Sequence, residues 1–157
     1  MNLLRKYIRE FLTEEAAIKL DQKQDTSSLK AFMDEYESKS QSNPIGMPGD
    51  RYWYMGEVEG KYCLVITNLY IDKSRGNIKF SAVQTVPPGV CEGKGYASKV
   101  MDHITAIADK HQVALRLDIM PFGQESLGVK ELTAWYARAG FERSDEDYDT
   151  LLTRDPL

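Results

Sequence analysis

The run Val83-Gln-Thr-Val-Pro-Pro-Gly-Val-Cys-Glu-Gly-Lys-Gly-Tyr-Ala-Ser-Lys-Val-Met101 constrains the fold most. Its first residues are β-branched or otherwise suited to a strand, and Pro87-Pro88 stops that strand because proline donates nothing to a ladder. Gly93, Gly95 and Ala97 then alternate with larger side chains. A helix opens at once, because Ala97, Val100, Met101, Ile104, Ile107 and Ala108 recur at helical spacing. Strand, break, small-residue turn and helix in direct succession leave a row of helix-start N–H groups with little bulk before them. Such a row suits an anion. Lys94 adds a positive charge beside it.

Around this run the chain reads as one domain with a short extension. Residues 2–12 predict an amphipathic helix with Leu4, Tyr7, Ile8 and Phe11 on one face, which makes residues 1–15 an accessory helix. Residues 16–157 form the single domain. Ala16–Leu20 either prolongs the helix of 2–12 or forms a short strand, and the polar break Asp21–Asp25 directly after it favours the strand. A helix is expected over 27–39, with Leu29, Phe32, Met33 and Tyr36 on its buried face. Residues 40–50 read as a loop from their Pro, Gly and Asn content. Tyr52–Val58 and Tyr62–Tyr70 predict a hairpin turning at Glu59-Gly60, and Ile78–Val86 the next strand. After the helix of 95–110, Val113–Met120 predicts a strand parallel to 78–86, because a helix separates the two. Residues 129–139 predict a helix ended by Gly140, and Phe141–Arg143 with Tyr148–Thr153 a closing hairpin. This order gives an α/β (α+β) mixed sheet with flanking helices.

Composition excludes several classes. A length of 157 residues suits one substantial core. No apolar run approaches a membrane span, and residues 1–12 lack the pattern of a secretory signal, so neither a membrane nor export is expected. A net charge of −4 argues against a nucleic-acid partner. Cys63 and Cys91 are too few for a disulfide framework or a zinc site, and they fit a reducing cytoplasm. No metal is expected.

Three phosphate-binding patterns compete for the glycine turn. A Walker loop needs Gly-x4-Gly-Lys followed by Ser or Thr, and Gly95 follows Lys94 here. A dinucleotide fingerprint needs a third glycine where Ser98 stands. The run Glu92-Gly93-Lys94-Gly95-Tyr96-Ala97 resembles the acyl-CoA loop of the GNAT N-acetyltransferases, Gln/Arg-x-x-Gly-x-Gly/Ala, at its fourth and sixth positions. Glu92 departs from the first. Val86 and Pro87 resemble that family's strand end. Leu132-Thr-Ala-Trp-Tyr-Ala-Arg-Ala-Gly-Phe141 resembles its Leu/Ile-x-x-Leu/Phe-Tyr-x-x-x-Gly-Phe helix. The resemblance covers roughly residues 50–157.

The resemblance implies that strands 78–86 and 113–120 splay apart around acetyl-CoA. Gln84, Thr85 and Val86 then pair with the pantetheine arm, as an added strand does. Glu92, Gly93, Lys94, Gly95, Tyr96, Ala97 and Ser98 hold the pyrophosphate, largely through main-chain amides. Tyr136 occupies the position of the phenol that protonates the leaving thiolate, while Trp135 is read as an aromatic packed under the sheet. A phenol titrating near 10 suits a thiol leaving group. The implied reaction is direct attack of a primary amine, from a small molecule, peptide or protein, on the thioester. Glu57, Asp118 and Glu125 are candidate bases, and Cys91 a candidate acyl relay. Val129 replaces an asparagine frequent in the family. Because Glu92 and Val129 depart from the pattern, a non-catalytic module of the same fold, binding acyl-CoA or protein, is the alternative. Monomer and homodimer are both open.

Overall fold

The computed structural model describes residues 26–43, 45–119, 128–143 and 151–157. The expected helix over 2–12 and strand over 16–20 lie outside these residues, as does the boundary between residues 15 and 16. Helix α1 covers 26–39. It is followed by β1 (Gln41–Ser42), β2 (Asp50–Val58), β3 (Lys61–Asp72), β4 (Asn77–Val86) and α2 (Tyr96–Lys110). The chain continues through β5 (Leu115–Asp118), α3 (Val129–Arg138), β6 (Glu142–Arg143) and β7 (Leu151–Arg154). The strands form one seven-stranded sheet in the order β1-β2-β3-β4-β5-β7-β6. Among the described residues every pairing is antiparallel except that of β4 with β5. The architecture is therefore the expected mixed sheet with flanking helices.

The hairpins follow from their turn residues. Glu59 and Gly60 both adopt positive φ, at 52° and 76°, which matches the right-handed twist of the strands they join. Between β3 and β4, Asp72 Oδ1 accepts from the Ser74 amide at 3.1 Å and from Ser74 Oγ at 2.6 Å, closing the turn with its own side chain. The run expected to be loop over 40–50 contains β1. Arg51 holds it there, donating to Ser40 Oγ and to the carbonyls of Ser40 and Glu37 at 2.7–2.8 Å. Strand β5 is shorter than Val113–Met120. Gln112 turns left-handed at φ 53°, and the Val113 amide donates to the Ala108 carbonyl at 2.9 Å, so Val113 completes the helix end instead of starting the strand.

The core lies between the sheet and helices α1 and α2. On β3, Cys63, Val65, Thr67 and Leu69 are buried while the residues between them are half-buried, the period of two that a one-sided strand needs. Thr67 is the polar member of that row, and its hydroxyl is satisfied. Trp53 Nε1 donates to Thr67 Oγ1 at 3.1 Å, and the Tyr36 hydroxyl shares a 2.5 Å hydrogen bond with the same atom. Burial pushes the Tyr36 phenol up to about 12. From α2, His103 stacks on Trp53 with ring centroids 5.8 Å apart, so α1 and α2 cover the same face.

The C-terminal end of α2 is fastened by charge. Glu35 Oε1 accepts from Lys110 Nζ at 2.6 Å and lies 3.1 Å from His111 Nε2. Arg154 donates to both carboxylate oxygens of Asp109, at 2.8 and 3.0 Å, and through Nε to the Ala139 carbonyl at 2.8 Å. One guanidinium thus joins α2, β7 and the end of α3. The Arg154 bonds lower the Asp109 carboxyl. Hydrogen bonds from Lys110, then from His111, lower the Glu35 carboxyl to about 2. A folded-state value below the unfolded one stabilises above the ordinary glutamate range and is lost as pH falls through the folded value. Glu35→Gln should therefore lower the thermal unfolding midpoint at neutral pH. The gap from wild type should narrow below about pH 4 and close near pH 2, measured by circular dichroism across that range.

Candidate functional site

Strand β4 has different neighbours along its length. Its first residues pair with β5 as Ile78↔Leu115, Lys79↔Arg116 and Phe80↔Leu117, and the parallel ladder goes no further. On its other edge β4 pairs with β3 as far as Leu64↔Val86. Ser81 is skipped in that register, which passes from Leu69↔Phe80 to Asn68↔Ala82. The bulge thus falls where β4 leaves β5, and the extra residue bends the strand. Ala82–Val86 have a strand on one side and, among the described residues, none on the other.

The chain then enters the glycine turn. Gly93 and Gly95 have φ of 76° and 77°, the left-handed region in which a side chain is strained. Gly95 caps α2, no side chain bonds to the cap, and the first helical bond runs from the Lys99 amide to the Gly95 carbonyl at 3.0 Å. A Cβ built on either glycine meets nothing within 4 Å, so the space in front of the turn is open. Glu92, Gly93, Lys94, Gly95 and Ser98 are exposed, and Tyr96 and Ala97 half-buried. The Glu92 carboxylate pairs with neither Lys94 nor Lys99 but stands in solvent. Lys99 Nζ lies over the Tyr96 ring, 5.8 Å from its centroid. Gln84 is exposed and Thr85 and Val86 half-buried at the end of β4.

Cys63 and Cys91 are joined in a disulfide, with Cα atoms 5.6 Å apart. This corrects the expectation of two free thiols and removes the inference from them to a reducing compartment. Both residues are buried, at 0 and 1% exposure. The bond ties the turn to β3, and a sulfur so engaged offers no thiolate, so Cys91 is no acyl relay.

Helix α3 brings the C-terminal half to this region. Trp135 Nε1 donates to Ser98 Oγ at 3.0 Å. Trp135 is thus half-buried, packed against the core as expected and tied in addition to the first turn of α2. The Tyr136 ring meets Trp135 at 4.8 Å and Phe141 at 5.6 Å, and Phe141 meets Phe80 at 6.1 Å. Tyr136 is therefore linked both to the glycine turn and to the residue at which β4 and β5 part. Of the candidate bases, Asp118 is exposed at the end of β5, one position beyond Leu117. Glu57 is exposed on β2, and Glu125 lies outside the described residues. A cavity of about 680 Å³, lined among others by Met33, Tyr36, Met47, Leu69 and Ile71, sits at the end of β3 remote from Leu64 and the turn.

No family model and no curated protein matches this chain. Among solved structures it is similar to the crystal structure of the anti-CRISPR protein AcrVA5. The match has 19% sequence identity and a TM-score of 0.45, over 67% of this chain and 97% of that one.

The disulfide and the turn each have a stability cost on removal. Because its cysteines are 28 residues apart, replacing both by serine should cost about 3.5 kcal/mol on the chain-entropy model, read from urea unfolding. Gly95→Ala meets no atom, so its cost comes from φ alone, about 1–2 kcal/mol in the same measurement.

Proposed function

We propose that this chain is an acetyl-CoA-dependent N-acetyltransferase of the GNAT superfamily, acting on a primary amine of a small molecule, peptide or protein. The parting of β4 from β5 after Phe80, directly ahead of an uncapped helix start, supports this most. Among the described residues it leaves an unpaired strand edge and helix-start amides without a side-chain cap in one stretch of chain. A ligand with an extended, hydrogen-bonding arm and a pyrophosphate matches both.

The residues present fit such a ligand. The main chain of Gln84, Thr85 and Val86 would pair with the pantetheine arm. The amides of Gly93 through Ser98 would hold the phosphates, with Glu92 contributing only its main chain and Lys94 its charge. Ala97 is small and leaves those amides accessible. Bound acetyl-CoA supplies an activated acyl group. The Val86 amide would orient the acyl carbonyl and draw charge toward its oxygen. Tyr136 Oη would carry the proton that a departing thiolate needs. The engaged sulfur of Cys91 favours direct transfer to the amine.

The exposed Glu92 carboxylate, with no ion pair among the described residues and beside the proposed phosphate-binding turn, favours the second reading, a non-catalytic acyl-CoA or protein-binding module. Acetyl-CoA at 100 times its dissociation constant should stabilise the fold by about 2.7 kcal/mol. An amine panel read by thiol release should then show turnover, and Tyr136→Phe should lose about a hundredfold in kcat while keeping the thermal shift. A shift without turnover on any amine would favour the module. No shift at millimolar acetyl-CoA would exclude cofactor binding, and full turnover by Tyr136→Phe would remove the phenol from the mechanism.

A further inference from the structure

Trp135 stands between the two parts of the proposed site. Its indole N–H donates to Ser98 Oγ at 3.0 Å, and its ring lies edge-on to Tyr136 at 4.8 Å. An indole nitrogen only donates, so the direction of the bond is fixed and Ser98 Oγ is the acceptor. A hydroxyl that accepts in this way keeps its own proton to give elsewhere. A serine inside a helix can give it to the carbonyl a turn earlier or turn it to solvent. Here the turn earlier is Lys94-Gly95, and Ser98 makes no such bond. Its hydroxyl is exposed in the first turn of α2, beside amides that no side chain caps.

We propose that Trp135 is a positioning residue. It holds the Ser98 hydroxyl as a donor toward a phosphate group at the glycine turn while its ring fixes that of Tyr136. This rests on the acetyl-CoA reading of the site. The arrangement gives the chain a side-chain phosphate donor in addition to its main-chain amides. It also makes the placement of Tyr136 depend on the same indole that orients Ser98.

The test uses the full chain with two thioesters, acetyl-CoA and S-acetyl-pantetheine, the second lacking every phosphate. Trp135→Phe keeps an aromatic ring and loses the N–H, and Ser98→Ala loses the hydroxyl. Each should raise the acetyl-CoA Kd about ten- to a hundredfold, as expected for one hydrogen bond to a charged group. The double variant should be little worse than either single one, because both changes break one relay. Ser98→Thr, which keeps the hydroxyl, should restore affinity. S-acetyl-pantetheine should be bound equally by wild type and variants. Equal losses with both thioesters, or additive losses in the double variant, would reduce the contact to a structural tie and overturn the proposal. If Trp135→Phe does not fold, as read by circular dichroism, Ser98→Ala against Ser98→Thr decides alone. Wild type that binds acetyl-CoA while Ser98→Ala binds it as well overturns this inference only. Wild type that binds no acetyl-CoA overturns the functional reading and this inference with it.

Discussion

The backbone of β4 sets the terms for the rest of the molecule. Peptide groups away from water need partners, and among the described residues β4 finds them on both edges only as far as Phe80. Beyond that residue one edge is satisfied by β3, while the other faces the space left by β5. The bulge at Ser81 gives this change of partners a place in the chain. Downstream, the two prolines stop the ladder, the turn re-aims the chain, and α2 starts at Tyr96 without a side-chain cap. The helices on the covered face hold β4 in place. They do so through Tyr36, which bonds Thr67 on the neighbouring β3, and through Arg154 at the far end of α2.

Most of this was legible in the sequence because it is local. Glu59-Gly60, the double proline, the paired glycines and Gly140 each act on the two or three residues around them. Their consequences appear where the pattern puts them. The parallel pairing of β4 and β5 was also legible, since a strand, a helix and a second strand admit few other routes. The burial periods of α1, α2 and β3 follow from apolar spacing alone.

What stayed hidden was contact at long sequence separation. Nothing in the spacing of Cys63 and Cys91 says that they meet, and their number argued against it. Trp135 and Ser98 meet across the packing of two helices, so their contact shows in the spacing of neither. Strand β1 depends on where the Arg51 side chain reaches, which no alternation signals. The start of β5 depended on how α2 terminates at Gln112. In the site itself, the turn and its glycines were visible in advance. The indole that touches both Ser98 and Tyr136 was not.

The disulfide gives the molecule a covalent ring. Residues 63 to 91 form a closed loop that contains most of β3, all of β4 and the two prolines. The glycine turn hangs directly from the point of closure. A cut in the exposed Lys73–Arg75 turn would therefore open the hairpin without releasing either half. The strand edge and the turn would stay on one molecule until the bond between the sulfurs was broken.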